Sequence, residues 1–209
     1  SWGRSVLDKI LGARKTEPQS PHQTAFLPLR STAGIDLPEE QALAYSAVFS
    51  AVKVISETVA MLPWRVYREN GEAKELQAGS RLDRVLHRTP NTEMTAFTFR
   101  EYLVSCALLW GNGYAEIERN RAGDVIGLWP LHPSAVEPTR DGQGQLIYRV
   151  WDERGGKTDL SVRSVYHLRG PTKDGVVGRS MISVARESFG LGIAMEQFGA
   201  AFFGNGGGP

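Results

Sequence analysis

The side chains best suited to chemistry in this sequence are four histidines and one cysteine. A zinc site needs ligands at recurring short spacings, and a nucleophile needs a base held beside it. The histidines instead fall in an N-terminal arm, a short helix, a proline-flanked loop and a strand, without ligand spacing. We therefore predict ordinary structural or surface roles for His22, His87, His132 and His167.

Cys106 lies on the apolar stripe of a predicted helix, where cysteine behaves as a small hydrophobic residue. No neighbouring base can be identified that would turn it into a nucleophile. As the only cysteine, it cannot form an internal disulfide, which favours folding in a reducing, intracellular compartment.

The familiar catalytic motifs are missing from the sequence: it contains no G-x-S-x-G elbow, no G-x-x-x-x-G-K-[ST] phosphate loop and no H-E-x-x-H helix. The GVVG segment at 175–178 has the G-x-x-G form of some RNA-binding loops, but those join two helices and this one joins a strand to a helix. Gly175 and Gly178 are therefore predicted to be turn residues. Asp152 and Glu153 fall in a predicted hairpin turn, without a second carboxylate opposite them. We predict neither catalytic residues, nor a cofactor, nor a metal site.

The charge balance argues against tight binding to nucleic acid or to an anionic membrane. Lys and Arg number 24 against 23 Asp and Glu, giving a net charge of +1. A protein that grips DNA needs clustered cations, whereas a conduit must let the duplex slide. No apolar run reaches membrane-spanning length, so no membrane partner is expected. A solvated tail is the preferred interpretation of the basic arm residues Arg4, Lys9, Arg14 and Lys15.

Helical periodicity dominates the first half of the chain after a flexible arm expected over residues 1–37. We predict helices at about 39–61, 80–88 and 95–110. The first ends before Pro63, and WRVYRE follows as a strand. Ser80 is the predicted N-cap of the second helix; Thr95 precedes the third, which ends at Gly111. The apolar stripe of the first helix comprises Ala44, Ala47, Val48, Ala51, Val52, Ile55, Val59 and Leu62.

From about residue 113 to 170 the apolar period changes to two, with turn residues between short segments. This pattern predicts a small antiparallel β-barrel or sheet, and with the helices an α+β fold over 38–178. The predicted core residues of this region are Trp64, Trp110, Trp129, Leu131 and Tyr148.

Helical spacing returns over residues 179–203, where apolar residues occupy more than one stripe. Gly190, Gly192 and Gly199 interrupt this helix, each at a cost of about 1 kcal/mol relative to alanine. A helix packed between like neighbours would show such a surface, so the residues favour ring assembly. The apolar helix is followed by the glycine-rich 204–209, and we therefore expect a longer polypeptide.

The order and wording of these segments resemble the portal proteins of tailed bacteriophages, specifically the lambdoid-like long-tailed lineage. The resemblance covers roughly residues 38–209. It is carried by AYSAVFSAVKVISETVAMLPWRVYR and by TPN (89–91), MTAF (94–97), GNGYAEI (111–117), LWPLHP (128–133), VYHLR (165–169) and DGVVGRS (174–180).

The resemblance implies a wing domain over 38–178 and one stem helix over 179–203, in a twelve-membered ring at one capsid vertex of the virion. The ring would be assembled in the host bacterial cytoplasm. It would pass double-stranded DNA, dock the large terminase subunit, and contact capsid and head–tail adaptor proteins, without covalent chemistry of its own. The family's clip region, second stem helix and crown would follow residue 209. An active phage, a domesticated prophage and a gene-transfer particle remain open as sources.

The resemblance also implies candidate DNA-channel or subunit-interface residues on the stem helix. The polar positions, facing the lumen or a neighbouring subunit, are Arg179, Arg186, Glu187 and Glu196, and the close-packing positions are Gly190, Gly192 and Gly199.

Two other classes of function stay open. A nucleic-acid-binding module of a phage or prophage that forms no ring would need a basic surface stripe. A hydrolase whose partner residues lie outside this sequence would need a pocket with convergent polar groups.

Overall fold

The computed structural model describes residues 46–204, apart from residues 72, 153 and 173. The predicted arm, the start of the first predicted helix and the glycine-rich residues 205–209 therefore lie outside the described residues. So do several residues singled out from the sequence, namely Arg4, Lys9, Arg14, Lys15, His22, Ala44 and Glu153. Within the described part, helices and small antiparallel sheets give the α+β class expected.

The first helix, α1, spans Ser46–Met61 and ends before Pro63, as predicted. Its buried side differs from the predicted stripe, because Ala47, Ala51 and Ile55 are exposed while Ser56 and Ala60 are buried. Ser56 can be buried because its hydroxyl donates to the carbonyl of Lys53 over 3.1 Å. The apolar periodicity therefore predicted the helix correctly, but the predicted apolar face is offset by about one residue from the side that is buried.

A hairpin and two more helices follow. The strand predicted from WRVYRE is confirmed in its last three residues, which lie in β1 (Tyr67–Asn70). Strand β1 pairs with β2 (Ala73–Leu76) in an exposed hairpin. Helix α2 spans Arg81–His87 and helix α3 spans Ala96–Trp110. Their ends follow the predicted chemistry: the hydroxyls of Ser80 and Thr95 accept the backbone N–H groups of Asp83 and Thr98, and Gly111 adopts a φ of 79°.

The described strands after α3 form two separate three-stranded sheets, so the closed barrel that was one of the two predicted forms is wrong. Both sheets are antiparallel. The first has the order β4-β3-β8, with strands Val125–Leu131, Asn112–Arg119 and Val165–Arg169. The second has the order β5-β6-β7, with strands Val136–Arg140, Leu146–Trp151 and Lys157–Ser161.

Two prolines help to explain why the sheets stay open. Pro130 lies in β4 and Pro138 lies in β5, and each of these is an edge strand. Proline has no N–H to donate, so a strand that contains it is poorly suited to pairing on both sides. The short 3-10 helix Pro133–Ala135 between them carries the chain from the first sheet to the second.

Three packed layers result. Val85, Phe99 and Leu103 of the helices pack on Ala115 and Leu128 of the first sheet. The other face of that sheet packs on the second sheet through a cluster that comprises Tyr114, Leu131, Val136, Tyr148, Val150 and Val165. Of the predicted core residues, Leu131 and Tyr148 are buried, whereas Trp64, Trp110 and Trp129 are half-buried.

The single helix predicted over 179–203 is divided in two. Helix α4 spans Met181–Val184 and helix α5 spans Arg186–Gly204. Ala185 separates them with a ψ of 20°, after its N–H has bonded to the carbonyl of Met181. A third buried cluster, Val48, Leu109 and Ile182, joins α1, α3 and α4. None of the described helices is long and apolar enough to cross a membrane.

Candidate functional site

Four segments meet where α3 ends, β3 begins, β8 ends and the chain turns toward α4. We call this place the glycine junction and define it by Gly111, Asn112, His167, Gly170 and Gly178. The N–H of Gly170 donates to the carbonyl of Gly111 over 2.8 Å. A Cβ built on Gly178 would lie 1.9 Å from the same carbonyl oxygen, so backbone touches backbone here and leaves no space for a side chain.

The buried amide of Asn112 joins these segments through four hydrogen bonds. Its Nδ2 donates to the carbonyls of Trp110 at 3.1 Å and Gly178 at 3.0 Å. Its Oδ1 accepts the N–H of Gly178 at 2.8 Å and lies 2.9 Å from Nε2 of His167. Because both Nδ2 contacts are carbonyls, the orientation of the amide is fixed, and Oδ1 is the atom that accepts.

This orientation also determines the tautomer of His167. Oδ1 of Asn112 only accepts, so Nε2 of His167 must carry the proton. Nδ1 of His167 is then an acceptor, and the hydroxyl of Tyr148 donates to it over 3.0 Å. A chain of hydrogen bonds thus runs from β6 through β8 to the start of β3, linking the second sheet to the junction.

Burial keeps His167 neutral. Desolvation, with a smaller effect of the cation of Arg169, lowers the pKa of His167 to about 4. The ring of Tyr114 lies 4.4 Å from that of His167 between centroids, and burial raises the pKa of both Tyr114 and Tyr148. Near neutral pH all three side chains are therefore uncharged and suited to a core, not to proton transfer.

The loop that leads from β8 to α4 is organised by Asp174. Its Oδ1 accepts the backbone N–H groups of Val176 and Val177 and the hydroxyl of Thr172. These bonds, the backbone ones first, lower the pKa of Asp174 to about 2. Gly175 has a φ of 76°, which confirms its predicted turn role. Gly178 instead serves the close backbone approach of the glycine junction.

The described residues offer no arrangement for catalysis at this place. Both ring nitrogens of His167 are already engaged. Burial raises the pKa of Cys106 to about 12, so its thiol stays protonated, and its position in the core is as predicted. No cluster of three or more His, Cys, Asp or Glu side chains within the described ranges is placed to hold a metal ion. What the glycine junction can do is fix the direction in which α4 and α5 leave the sheets.

Among the other candidate groups, His132 and Asp152 have ordinary structural roles, whereas Nδ1 of His87 is buried without a hydrogen-bond partner. His132 caps the 3-10 helix through Ser134 and lies edge-on to Trp110, 4.9 Å away between ring centroids. Asp152 accepts the backbone N–H groups of Arg154 and Gly156 in the turn between β6 and β7, as a hairpin turn predicts. His87 lies in the last turn of α2.

Helix α5 presents two different surfaces. Its first turns pack inward, where Phe189 and Ile193 contact the cluster of Val48, Leu109 and Ile182. Further along, an outward apolar row recurs at spacings of four, three and four residues, which is one helical face. We call this row the α5 stripe: Leu191, Met195, Phe198 and Phe202. Met195 is 66% exposed and Phe198 is 74% exposed, and the rings of Phe198 and Phe202 stack at 6.3 Å.

The polar residues predicted for the stem helix do not lie together in the structure: one precedes α4, and the others belong to α5. The N–H of Arg179 donates to the carbonyl of Pro171 over 2.6 Å, before α4 begins. Arg186 is the first residue of α5. Glu196 is exposed on the same helix, and the side chain of Glu187 is outside the described part of the chain.

The three glycines of α5 that were predicted as close-packing positions do not share one face. Gly190 is buried, and Gly199, nine residues later, lies on the opposite side of the helix. A Cβ built on Gly199 would meet no atom within 4 Å. Gly192 is seven residues before Gly199 and lies on its side, beside the α5 stripe. Of these three glycines, only Gly190 is fully buried.

Sequence reasoning missed two buried polar residues, Asn112 at the start of β3 and Asn91 in a loop. In the sequence, Asn112 stands between two glycines, directly after the end of α3. This placement is the sequence signal that could have marked it as a junction residue. Asn91, in the loop between α2 and α3, donates to the carbonyl of Leu128 at 2.9 Å and accepts the N–H groups of Glu93 and Met94. It ties this loop to β4.

Comparison with known proteins gives consistent results. The phage portal protein family matches residues 46–209. The chain is 33% identical over 208 residues to the portal protein of Enterobacteria phage HK97, covering 98% of this chain and 49% of that protein. It is 31% identical over 210 residues to the probable portal protein of Streptomyces phage phiC31, covering 94% of this chain and 44% of that protein.

Among solved structures, the neck of a native gene transfer agent particle computed with C12 symmetry matches 99% of this chain and 51% of its own chain. The TM-score is 0.62 at 22% identity, a likeness of fold. The chain spans about half the length of the relatives it matches. The extent of the family match and the identity to the HK97 protein together show that the chain belongs to the phage portal protein family.

Proposed function

We propose that this chain is the wing and the first stem segment of a portal ring, the channel at one capsid vertex through which double-stranded DNA is packaged and ejected. The three layers of residues 46–169 form the wing in this proposal, and α4 with α5 forms the stem segment. The ring performs no covalent chemistry, and its work is mechanical.

The observation that carries the proposal is the α5 stripe. Leu191, Met195 and Phe198 are each more than half exposed on one helical face. A row of large apolar side chains on one helix is costly to leave in water, which favours its burial against another protein surface. Heterologous contacts that close into a ring would cover the stripe on every subunit at once. The C12 symmetry of the gene transfer agent neck supports a ring of about twelve copies.

Gly192 and Gly199 support the same arrangement. Both flank the stripe, and a Cβ built on Gly199 would meet no atom within 4 Å, so a neighbouring helix could approach the backbone closely there. Glu196, exposed on this helix, would face the lumen or the neighbouring subunit. Arg179 and Arg186 lie nearer the glycine junction, where they would meet the neighbour close to the wing.

The proposed partners follow from the ring. The large terminase subunit would dock on it during packaging, and capsid and head–tail adaptor proteins would surround it in the virion. The near-neutral net charge of +1 suits a conduit along which DNA must slide, and it disfavours a module that grips nucleic acid without a ring.

The test is the mass and shape of the protein purified at its full natural length. Native mass spectrometry and class averages of negatively stained particles should give rings of about a dozen subunits with a central hole. A strict monomer at high protein concentration would overturn the proposal and favour the binding module.

A further inference from the structure

Exposed arginines gather at the end of the first sheet that lies away from the glycine junction. That junction is at the start of β3 and the end of β8, whereas these arginines belong to the end of β3, the turn after it, the residues just before β8 and helix α2. We call this surface the arginine patch and define it by Arg81, Arg84, Arg88, Arg119, Arg121 and Arg163, which are all exposed. The patch therefore lies at the opposite end of the sheet from the loop that leads into α4.

Three of these arginines form a row along α2 and its C-cap. Arg81, Arg84 and Arg88 follow one another at spacings of three and four residues, which places them on one helical face. With a rise of about 1.5 Å per residue, the row extends over about 10 Å. One side of α2 thus presents a line of guanidinium groups to the solvent.

The row on α2 continues into the turn between β3 and β4. Nη1 of Arg81 donates to Oδ2 of Asp124, in this turn, over 2.9 Å, and Arg121 belongs to the same turn. Nη1 of Arg119 donates to a carbonyl of the turn over 3.0 Å. Its Nη2 donates to the carbonyl of Arg163 over 3.4 Å. These contacts join the arginines of α2 and of the sheet into one continuous surface.

The positive charge of the patch is only partly neutralised. Asp124 is paired with Arg81. Within the described part of the chain, no carboxylate forms an ion pair with Arg84, Arg88 or Arg121. The near-neutral net charge of +1 therefore conceals a local excess of cations at this end of the wing.

A line of arginines suits an anion that repeats along a line. A guanidinium can donate two parallel hydrogen bonds to one phosphate, and double-stranded DNA carries a negative charge for about every 1.7 Å of its axis. Contacts between proteins are instead enriched in aromatic residues at their centre. The segments that carry the patch, 81–88, 119–124 and 162–164, contain no Phe, Tyr or Trp. Their composition therefore favours a nucleic-acid backbone over a protein surface.

We propose that the arginine patch binds the phosphate backbone of double-stranded DNA, so that the wing contacts DNA at a surface separate from the stem helix. The choice of DNA as the polyanion rests on the proposed function. Contacts to phosphates are weakened by salt and carry no sequence information. Such a surface can hold a duplex of any sequence and still let it slide.

The experiment uses the protein at its full natural length and a short fluorescent DNA duplex, whose anisotropy reports binding at a series of salt concentrations. The patch variant combines Arg84→Gln, Arg88→Gln and Arg121→Gln, because these exposed side chains lack an acidic partner among the described residues. We expect it to bind DNA at least about tenfold more weakly than wild type at low salt. The slope of log affinity against log salt should become shallower by about 2 to 3.

The control variant removes the same charge from the second sheet and its turns. It combines Arg140→Gln, Arg154→Gln and Lys157→Gln, all at exposed positions. We expect its affinity for DNA to stay within about threefold of wild type, with an unchanged salt slope. Both variants should unfold at the same urea concentration as wild type, since exposed substitutions of this kind change stability little.

Three results would overturn the arginine patch. Equal losses of affinity in both variants would show that DNA responds only to the total charge of the protein. Absence of DNA binding by wild type at low salt would leave the patch without its ligand. Unchanged DNA binding by the patch variant would also contradict it. If that variant has in addition lost the retention of wild type on immobilised polyglutamate, the surface serves an acidic protein.

Native mass spectrometry of the same samples separates this inference from the proposed function. If wild type forms no rings and the patch variant still loses its affinity for DNA, the ring fails and the patch stands. If wild type forms rings and its affinity for DNA does not depend on the patch, the patch fails and the ring stands.

Discussion

The Nε2–H of His167 donates to Oδ1 of Asn112 across 2.9 Å, and this bond connects the middle of β8 to the start of β3. The same oxygen accepts the N–H of Gly178, from the loop that leads to α4. One buried amide therefore anchors the loop from which α4 begins. Substituting Asn112 should therefore lower both the stability of the subunit and its assembly into rings.

Acid should destabilise the subunit through His167. The pKa of His167 is about 4 in the folded chain and about 6.5 when unfolded, so the unfolded chain binds more protons between these values. The stabilising contribution is fully present above pH about 6.5 and declines as the pH falls toward 4, by up to about 1.4 kcal/mol per pH unit. Urea unfolding of the subunit at a series of pH values measures this slope.

The matched variant for this prediction is His167→Gln, which cannot titrate. We expect this variant to be less stable than wild type at pH 7.5. Its unfolding free energy should also depend less steeply on pH between 6.5 and 5. The same slope in both proteins would assign the acid sensitivity to other groups and contradict the neutral, buried histidine.

Replacing Asn112 by alanine should cost about 2–4 kcal/mol of unfolding free energy, because it leaves buried carbonyl and N–H groups without partners. Asn70→Ala, at the exposed end of β1, is the control and should change stability by less than about 0.5 kcal/mol. Equal effects of the two substitutions, measured by urea unfolding, would show that the Asn112 bonds contribute little.

Gly178→Ala should be among the most damaging single substitutions in the described part of the chain. Its Cβ would lie 1.9 Å from the carbonyl oxygen of Gly111, a contact that only backbone movement can relieve. We expect Gly178→Ala to lower the unfolding free energy by at least about 2 kcal/mol. The control is Gly142→Ala, where the new Cβ meets open space and the loss should be less than about 0.5 kcal/mol. Thermal unfolding of both variants checks this, and a tolerated Gly178→Ala would contradict the close approach.

Gly199→Ala should change subunit stability and ring assembly in opposite directions. The new methyl group has room within the chain, and alanine is favoured over glycine in a helix by about 1 kcal/mol. If Gly199 is a close-packing position between subunits, the more stable subunit should form fewer rings at a given concentration. More rings would mean that no neighbour approaches this face.

The sequence was most informative where local chemistry decides the structure. Ser80, Thr95 and Gly111 could be identified as helix ends, because capping depends on a few adjacent residues. The period of two likewise predicted strands after residue 113. The division into two sheets could not be predicted in the same way, since it depends on how distant strands pair.

Long-range contacts also explain what was missed at the candidate site. Asn112 and Gly178 are 66 positions apart, and only the fold shows that they share a buried hydrogen-bond network. Ala185 carries no residue signal for a helix break, so α4 and α5 appeared as one helix. Gly190, Gly192 and Gly199 were correctly predicted to lie on a helix. Which side of that helix each one occupies became clear only from the packing of Phe189 and Ile193.

The most direct test of the account is the reactivity of a cysteine placed in the α5 stripe by Met195→Cys. The native Cys106 is buried and its thiol stays protonated, so it contributes little background to maleimide labelling. An exposed control, Ser134→Cys, should react equally in subunits and rings. We predict that position 195 reacts rapidly in dissociated subunits and is strongly protected in the ring. Equal, rapid labelling of position 195 in both states would contradict a ring whose subunits meet along this stripe.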